Sequence, residues 1–192
     1  MLATPGALPE GPEWVYEVNW DGLRLFADVE ERVLRLTSGR DVTAHFPELA
    51  GLVEVAPDLL IDGEVVLLER GVPSKAALAE RLNWPIDPRA ATSRPVTFMA
   101  FDVLRLYGVP LVERPLVERR GTLERLDTVA VPALVLSPTY TDGRALLAVT
   151  KQRGLAGVVA KRRDGAYRPG ARSPGWVSVA HEAGRRRRAG AG

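Results

Sequence analysis

The chain has 192 residues, of which 46% are hydrophobic, and this is enough to bury the core of one domain. It contains no cysteine, which excludes disulfide bonds and thiolate metal sites and suits a reducing cytoplasm. The net charge of +2 depends on Arg185–Arg188: without them 22 basic residues face 24 acidic ones, so the body is not a general nucleic-acid binder.

The first predicted segment is a flexible leader over residues 1–13, which are rich in Pro and Gly. These residues lack the basic segment and apolar run of a signal peptide. No apolar stretch in the chain reaches the ~18–20 residues that span a bilayer. We therefore expect a cytoplasmic protein with no membrane-spanning part.

Alternation of apolar and polar residues predicts several strands in the first half of the chain. The predicted strands cover residues 14–19, 23–29, 33–37 and 59–69. Ser74 is a suitable N-cap for a helix over residues 75–82. The strand at 59–69 includes the sequence Ile61-Asp62-Gly63-Glu64, in which the two carboxylates face the same side because they are two residues apart.

The second half of the chain mixes strands and helices. A strand is predicted over 96–107, helices over 115–127 and 143–152, and strands over 155–161 and 175–180. Strands and helices do not alternate regularly, which indicates an α+β fold rather than a doubly wound sheet. Residues 182–192 are rich in Arg, Gly and Ala without periodicity, and we expect a basic disordered tail there.

Six short segments carry the most specific pattern in the sequence. Residues 17–24 have the sequence Glu-Val-Asn-Trp-Asp-Gly-Leu-Arg, and residues 61–66 have Ile-Asp-Gly-Glu-Val-Val. The others lie at 41–49, 98–104, 154–162 and 167–179. Together, and in this order, they resemble the motifs of the adenylation domain of ATP-dependent DNA ligases, most closely the bacterial type associated with non-homologous end joining.

This resemblance implies a nucleotidyltransferase (ATP-grasp-like) fold over residues 14–181, with antiparallel sheets flanked by helices. The family's ligases continue into an OB-fold domain that clamps DNA. About ten residues follow the last predicted strand, which is too few for an OB barrel. We therefore expect an adenylation domain with no OB-fold domain.

The resemblance also implies which residues bind ATP. Glu17 matches a purine-side contact, Arg24 and Glu64 match ribose contacts, Phe101 matches the aromatic residue that stacks on adenine, and Lys161 matches a lysine near the phosphates. The implied ligands are therefore ATP and, with reduced affinity, Mg²⁺.

Three departures from the family pattern fall on the chemistry. Asn19 stands where the family has the lysine that attacks the α-phosphorus of ATP, and a carboxamide nitrogen is delocalised and does not attack phosphorus. Ala156 replaces a glutamate that helps to hold the metal, so Mg²⁺ binding is weakened and we assign no metal ligand. Ser178 replaces a lysine that neutralises the α-phosphate. The sequence thus predicts an inactive pseudo-ligase, with DNA and a true ligase or end-joining protein as partners.

Two other functions stay open at the level of sequence. The retained Arg24, Glu64 and Lys161 are compatible with a nucleotidyltransferase that uses another nucleophile. Alternatively, Arg185, Arg186, Arg187 and Arg188 bind DNA as a basic tail, with an affinity that falls steeply with salt. The same arginine run is also typical of a tail that only increases solubility.

Overall fold

A computed structural model describes residues 1–83 and 89–181 of the chain. The strands are β1 (Leu2–Pro5), β2 (Trp14–Asn19), β3 (Leu23–Glu30), β4 (Val33–Thr37), β5 (Leu59–Val66), β6 (Leu68–Glu69), β7 (Val72–Pro73), β8 (Thr97–Leu106), β9 (Val109–Pro110), β10 (Leu134–Leu136), β11 (Gly157–Arg162) and β12 (Arg172–Ala180). The α-helices are α1 (Leu52–Val55), α2 (Lys75–Arg81), α3 (Ala90–Ser93), α4 (Leu116–Leu123) and α5 (Gly143–Gln152). Short 3₁₀ helices cover Thr43–His45 and Pro47–Leu49.

Two main sheets form the body of the molecule. The smaller has the order β1-β12-β11-β2, and the larger has the order β10-β8-β5-β3-β4 with β9 paired to β8. Most neighbouring strands are antiparallel, whereas β1 pairs with β12 and β10 pairs with β8 in parallel. The architecture is mixed α+β, and the prediction of mainly antiparallel sheets flanked by helices is confirmed.

Buried and less buried side chains alternate along the strands, as expected for a repeat of two residues. In β3 the side chains of Leu25, Ala27 and Val29 are fully buried, and the residues between them are half-buried. This face packs with the buried face of β5 and with Phe98 in the main hydrophobic core. A second cluster joins the two sheets, and it includes Met1, Phe101, Leu104, Tyr167 and Trp176. This second cluster supports the candidate site.

Two helices begin with side-chain caps. The hydroxyl of Ser74 accepts a hydrogen bond from the Ala77 N–H at 3.3 Å, as predicted for the start of α2. The carboxylate of Asp142 accepts a hydrogen bond from the Ala145 N–H at 2.9 Å, and this bond fixes the start of α5. These caps satisfy backbone donors that have no partner inside the helix.

The structure differs from the expected leader at residues 1–13. Residues Leu2–Pro5 form β1, and Met1 is buried in the cluster that joins the sheets. The segment is ordered because β1 completes the edge of the smaller sheet, with Leu2 opposite Arg172 and Thr4 opposite Val177. The Pro and Gly content that suggested flexibility is concentrated after this strand.

Other differences are smaller. Helix α4 ends at Leu123, several residues before the predicted end at 127, and β10 and α3 were not predicted. The basic tail over 182–192, including Arg185, Arg186, Arg187 and Arg188, lies outside the described residues. Among residues 1–83 and 89–181, no helix is long and apolar enough to cross a membrane.

Candidate functional site

A cavity of about 120 Å³ lies between the two sheets. Strands β2 and β11 contribute one wall, and β3, β5 and β8 contribute the other. Its lining includes every residue that the sequence assigned to ATP binding, together with Asn19, which was predicted to stand at the nucleophile position. The full lining comprises Ala3, Glu17, Val18, Asn19, Trp20, Arg24, Glu64, Phe101, Val159, Lys161 and Trp176.

A buried ion pair lies in the first wall. The Nζ atom of Lys161 is 2.7 Å from Oε1 of Glu17, and both side chains are 3% exposed. The same ammonium lies 4.2 Å from the ring centroid of Phe101 and 4.5 Å from that of Trp176. The lysine is therefore held by one carboxylate and two aromatic faces, which suits a desolvated cation.

Arg24 is held in the opposite wall by a second network. Its Nε and Nη2 atoms donate to the two carboxylate oxygens of Asp62 at 3.0 and 2.6 Å, and Nη2 also donates to the Tyr167 hydroxyl at 3.1 Å. Tyr167 in turn donates to Asp62 at 2.8 Å. Burial lowers the pKa of Arg24, but the bonds to Asp62 outweigh it and the pKa is raised. The guanidinium is thus fixed and permanently charged.

Glu64 lies opposite Arg24 in the register of β3 and β5. Its Oε1 atom accepts a hydrogen bond from the Gly22 N–H at 2.7 Å. Burial raises the pKa of the Glu64 carboxyl, and the bond from Gly22 opposes that effect. The backbone at position 22 can lie this close to β5 only because the residue is glycine: a Cβ atom there would lie 2.2 Å from the carbonyl oxygen of Val65.

Asn19 is the last residue of β2 and faces Gly157 across the strand pair with β11. It lines the cavity beside Glu64 and Arg24. Ala156 immediately precedes Gly157, the first residue of β11, and Ser178 of β12 pairs with Val159. Neither Ala156 nor Ser178 lines the cavity. The structure therefore groups Asn19 with the cavity residues and places Ala156 and Ser178 at the periphery.

Sequence reasoning missed a lysine near the turn that follows Asn19. Nζ of Lys75, at the start of α2, lies 2.8 Å from Oδ1 of Asp21. Asp21 adopts a left-handed backbone conformation with φ of 54°, which turns the chain after Asn19. The pairing joins segments 54 residues apart in sequence, so no local pattern signals it.

The donor set of the cavity suits part of a nucleotide. Phe101 offers an aromatic ring for stacking, and Arg24 and Glu64 offer a charged donor and an acceptor for hydroxyl groups. Ligand pockets usually have volumes of about 300–1,000 Å³, so 120 Å³ holds only a fragment unless the wall moves. For a cation, the described residues contain no cluster of three or more His, Cys, Asp or Glu side chains.

The ATP dependent DNA ligase domain family has a sequence profile that matches residues 4–179 of this chain. The multifunctional non-homologous end joining DNA repair protein LigD of Mycobacterium tuberculosis is 38% identical over 191 residues, which cover 94% of this chain and 24% of that protein. DNA ligase C1 of Mycolicibacterium smegmatis is 35% identical over 197 residues, covering 90% of this chain and 52% of that protein.

A solved structure of mycobacterial DNA ligase D complexed with ATP and MES has a similar fold. Its TM-score is 0.78 at 35% identity, and the match covers 94% of this chain and 59% of that chain. The predicted fold class is therefore confirmed. The chain spans about a quarter of the length of LigD and about half of ligase C1.

Proposed function

The chain belongs to the family of ATP-dependent DNA ligase domains, and from this membership we propose that it is an adenylation domain that binds ATP without forming a covalent adenylate. We assign this role to residues 1–181 and not to 14–181 alone, because β1 pairs with β12 and Ala3 lines the cavity. The domain would act in DNA repair and recombination of the end-joining type, beside a true ligase or another end-joining protein, with DNA as the common substrate.

One observation carries the proposal, which is the position of Asn19. Its side chain lines the cavity at the end of β2, where the family motif has its nucleophilic lysine. A carboxamide nitrogen shares its lone pair with the carbonyl group and does not attack phosphorus. Ala156 and Ser178 remove two further charges, so the proposed site also lacks one metal-binding carboxylate and one group that neutralises the α-phosphate.

Nucleotide binding is supported by the residues that remain. Phe101 can stack on adenine, Arg24 and Glu64 can hold the ribose, and Glu17 and Lys161 lie at the inner wall. A relative 35% identical to this chain has been solved with ATP. Stacking of adenine on the face of Phe101 that the Lys161 ammonium covers requires that ammonium to move, because it lies 4.2 Å from the ring centroid. We further propose that Arg185, Arg186, Arg187 and Arg188 add affinity for DNA phosphates.

The direct test is calorimetric titration of the protein with ATP, with and without Mg²⁺. We expect saturable binding that changes little with Mg²⁺. Phe101→Leu keeps an apolar side chain but removes the stacking face, and it should weaken ATP binding by about 5–150-fold, which corresponds to about 1–3 kcal/mol per stacked base. Tyr107→Ala, which changes an aromatic residue at 65% exposure, is the matched control and should leave ATP binding unchanged. Absence of binding by the wild type at millimolar ATP would refute the proposal.

A second candidate function is favoured by the position of Lys75. Its amine lies 2.8 Å from Asp21, two residues after Asn19. In this candidate a neutral Lys75 amine attacks the α-phosphorus of ATP, a P–N bond forms, the bond from Pα to the leaving pyrophosphate breaks, and the amine proton passes to solvent. Lys75 is 68% exposed, whereas nucleophilic lysines are usually activated by desolvation, so we rank this function second.

The two candidates differ in the mass of the protein after incubation with ATP. The second predicts a gain of one AMP that disappears in Lys75→Met. The first predicts no gain in either protein. Lys151→Met serves as the control, since Lys151 lies on the exposed side of α5.

A further inference from the structure

A second cavity of about 200 Å³ lies against helix α4 and strand β2, outside the first one. Glu17 lines both cavities, which share no other lining residue. No role in the proposed adenylation chemistry uses this second space. Its lining comprises Val15, Glu17, Leu116, Val117, Arg120, Gly121, Glu124, Thr139 and Arg163.

Arg120 is the most unusual group in this lining. Its side chain is only 9% exposed. The Nε atom donates to Oε1 of Glu124 at 3.1 Å, and Nη2 donates to the carbonyl oxygen of Ser137 at 2.5 Å. The Nη1 atom is buried and has no hydrogen-bond partner within the described part of the chain. Unpaired buried donors are rare in folded proteins, and a charged one is costly, so this atom indicates a missing acceptor.

The charges around the cavity favour an anion. The backbone of Arg163 is held by two hydrogen bonds, since its N–H donates to the Glu13 carbonyl at 2.9 Å and its carbonyl accepts from Val117 at 3.0 Å, and its side chain is exposed. Glu17 is neutralised by Lys161 at 2.7 Å. Glu124 balances one of the two arginines. One positive charge is therefore uncompensated within this lining, and Thr139 adds a hydroxyl donor to the wall.

We propose that this cavity binds a phosphate oxyanion, with Arg163 as the exposed donor and Nη1 of Arg120 as the buried one, which reaches the ligand once its guanidinium turns toward the cavity. Guanidinium groups match the geometry of phosphate oxygens and form charge-assisted hydrogen bonds with them. The phosphate is either a free ion or a phosphodiester group of a nucleic-acid strand, since both present the same oxygens. The site shares Glu17 and no other lining residue with the nucleotide cavity, and it does not depend on the proposed adenylation function.

The test is a titration of the full chain with inorganic phosphate in a phosphate-free buffer, followed by ³¹P NMR line broadening. We expect saturable binding with one site. Arg163→Ala should weaken it by about tenfold, in line with the loss of one charged hydrogen bond. Arg162→Ala is the matched control, because this neighbouring arginine pairs with Asp164 at 2.8–2.9 Å and does not line the cavity. The control should bind phosphate within about twofold of the wild type.

Arg120 needs a different measurement, because replacing a buried arginine can unfold the domain. In the wild type, phosphate should shift the side-chain N–H resonances of Arg120 in ¹⁵N spectra, with the same midpoint as the ³¹P titration. ATP affinity should be unchanged in Arg163→Ala, which keeps this test separate from that of the nucleotide cavity. No saturation by about 10 mM phosphate overturns the proposal. Equal losses in Arg163→Ala and Arg162→Ala also overturn it.

A competition titration with a short DNA duplex identifies the source of the phosphate. If a short duplex displaces inorganic phosphate and binds more weakly to Arg163→Ala than to Arg162→Ala at constant salt, the site takes a backbone phosphodiester. If the duplex leaves the phosphate signal unchanged while phosphate binding depends on Arg163, the site takes the free ion. Both results support an oxyanion site and assign its ligand.

Discussion

Lys161 and Glu17 form an ion pair of 2.7 Å whose two side chains are almost completely buried. The lysine ammonium also faces the rings of Phe101 and Trp176. One cation therefore joins strands β2 and β11 to the aromatic cluster between the sheets. Because the pair lies in the wall of the 120 Å³ cavity, it affects both the stability of the fold and access to the ring of Phe101.

Removal of the lysine charge should strongly destabilise the domain. Lys161→Met leaves the Glu17 carboxylate buried without a partner, which typically costs about 3–5 kcal/mol. The free energy of unfolding from urea titration checks this value. Lys151→Met removes an exposed lysine and should change it by less than about 0.5 kcal/mol.

The double variant Glu17→Gln, Lys161→Met separates the charge effect from packing. It removes both charges, so it should be more stable than Lys161→Met alone. Equal stability of the single and double variants would show that the cost comes from the lost packing of the lysine and not from an unpaired carboxylate.

The turn after Asn19 should not tolerate a side chain at Gly22. A Cβ atom in Gly22→Ala would lie 2.2 Å from the Val65 carbonyl oxygen, and this backbone atom cannot move aside cheaply. The variant should lose about 1–3 kcal/mol of stability through overpacking, together with the bond from Gly22 to Glu64. Gly121→Ala in helix α4 is the control, because its Cβ would meet only the end of Arg125 at 3.4 Å. Similar losses in both variants would contradict this explanation of the turn.

Stability should depend on pH through Glu64. Burial raises the pKa of its carboxyl above the ordinary value of 4.5, so the folded state binds the proton more tightly than the unfolded chain. Its contribution to stability is full below pH 4.5 and is lost as the pH rises through the raised value. Glu64→Gln keeps an acceptor for Gly22 without this titration. The variant should therefore gain stability relative to the wild type as the pH rises from about 4 to about 7.

Urea titrations of both proteins across that pH range provide the measurement. If the difference in the free energy of unfolding between Glu64→Gln and wild type stays constant with pH, Glu64 is not the source of the pH dependence. A difference that moves in favour of the wild type as the pH rises would mean that the folded state stabilises the carboxylate form, which is incompatible with a raised pKa of Glu64.

Restoring the nucleophile alone should not restore full chemistry. Asn19→Lys places an amine in the cavity wall, but in our proposal Ala156 and Ser178 still leave the site without a metal-binding group and a phosphate-neutralising group. We expect the triple variant Asn19→Lys, Ala156→Glu, Ser178→Lys to gain the mass of AMP at least about 100-fold faster than Asn19→Lys, because removal of one charge-stabilising group typically costs about 10²–10³ in rate. Equal rates would show that positions 156 and 178 do not limit the reaction.

The residues predicted for the candidate site lie together in the structure where short motifs coincide with strands. Glu17, Arg24, Glu64, Phe101 and Lys161 come from separate segments, and the structure places them around one cavity. The resemblance to the ligase motifs picked out these residues, and pairing of β2 with β11 and of β3 with β5 brings their segments together. Their roles in binding remain predictions.

Other features depend on contacts between distant segments and have no local signature. Strand β1 was missed because its order comes from pairing with β12, about 170 residues later, and not from its own composition. The Lys75–Asp21 contact and the unpaired Nη1 of Arg120 likewise arise only from the packing of separate elements. Helix α4 was predicted too long because its apolar pattern continues into Leu126, which packs on the core beyond the helix end.

The central claim is that this domain forms no covalent adenylate, and intact-mass spectrometry tests it most directly. The purified wild type is incubated with ATP and either Mg²⁺ or Mn²⁺, and its mass is compared with that of untreated protein. We predict an unchanged mass under both conditions, because Asn19 offers no nucleophile at the end of β2. A gain equal to one AMP would contradict the claim, and peptide mapping would then decide whether Lys75 or another residue carries it.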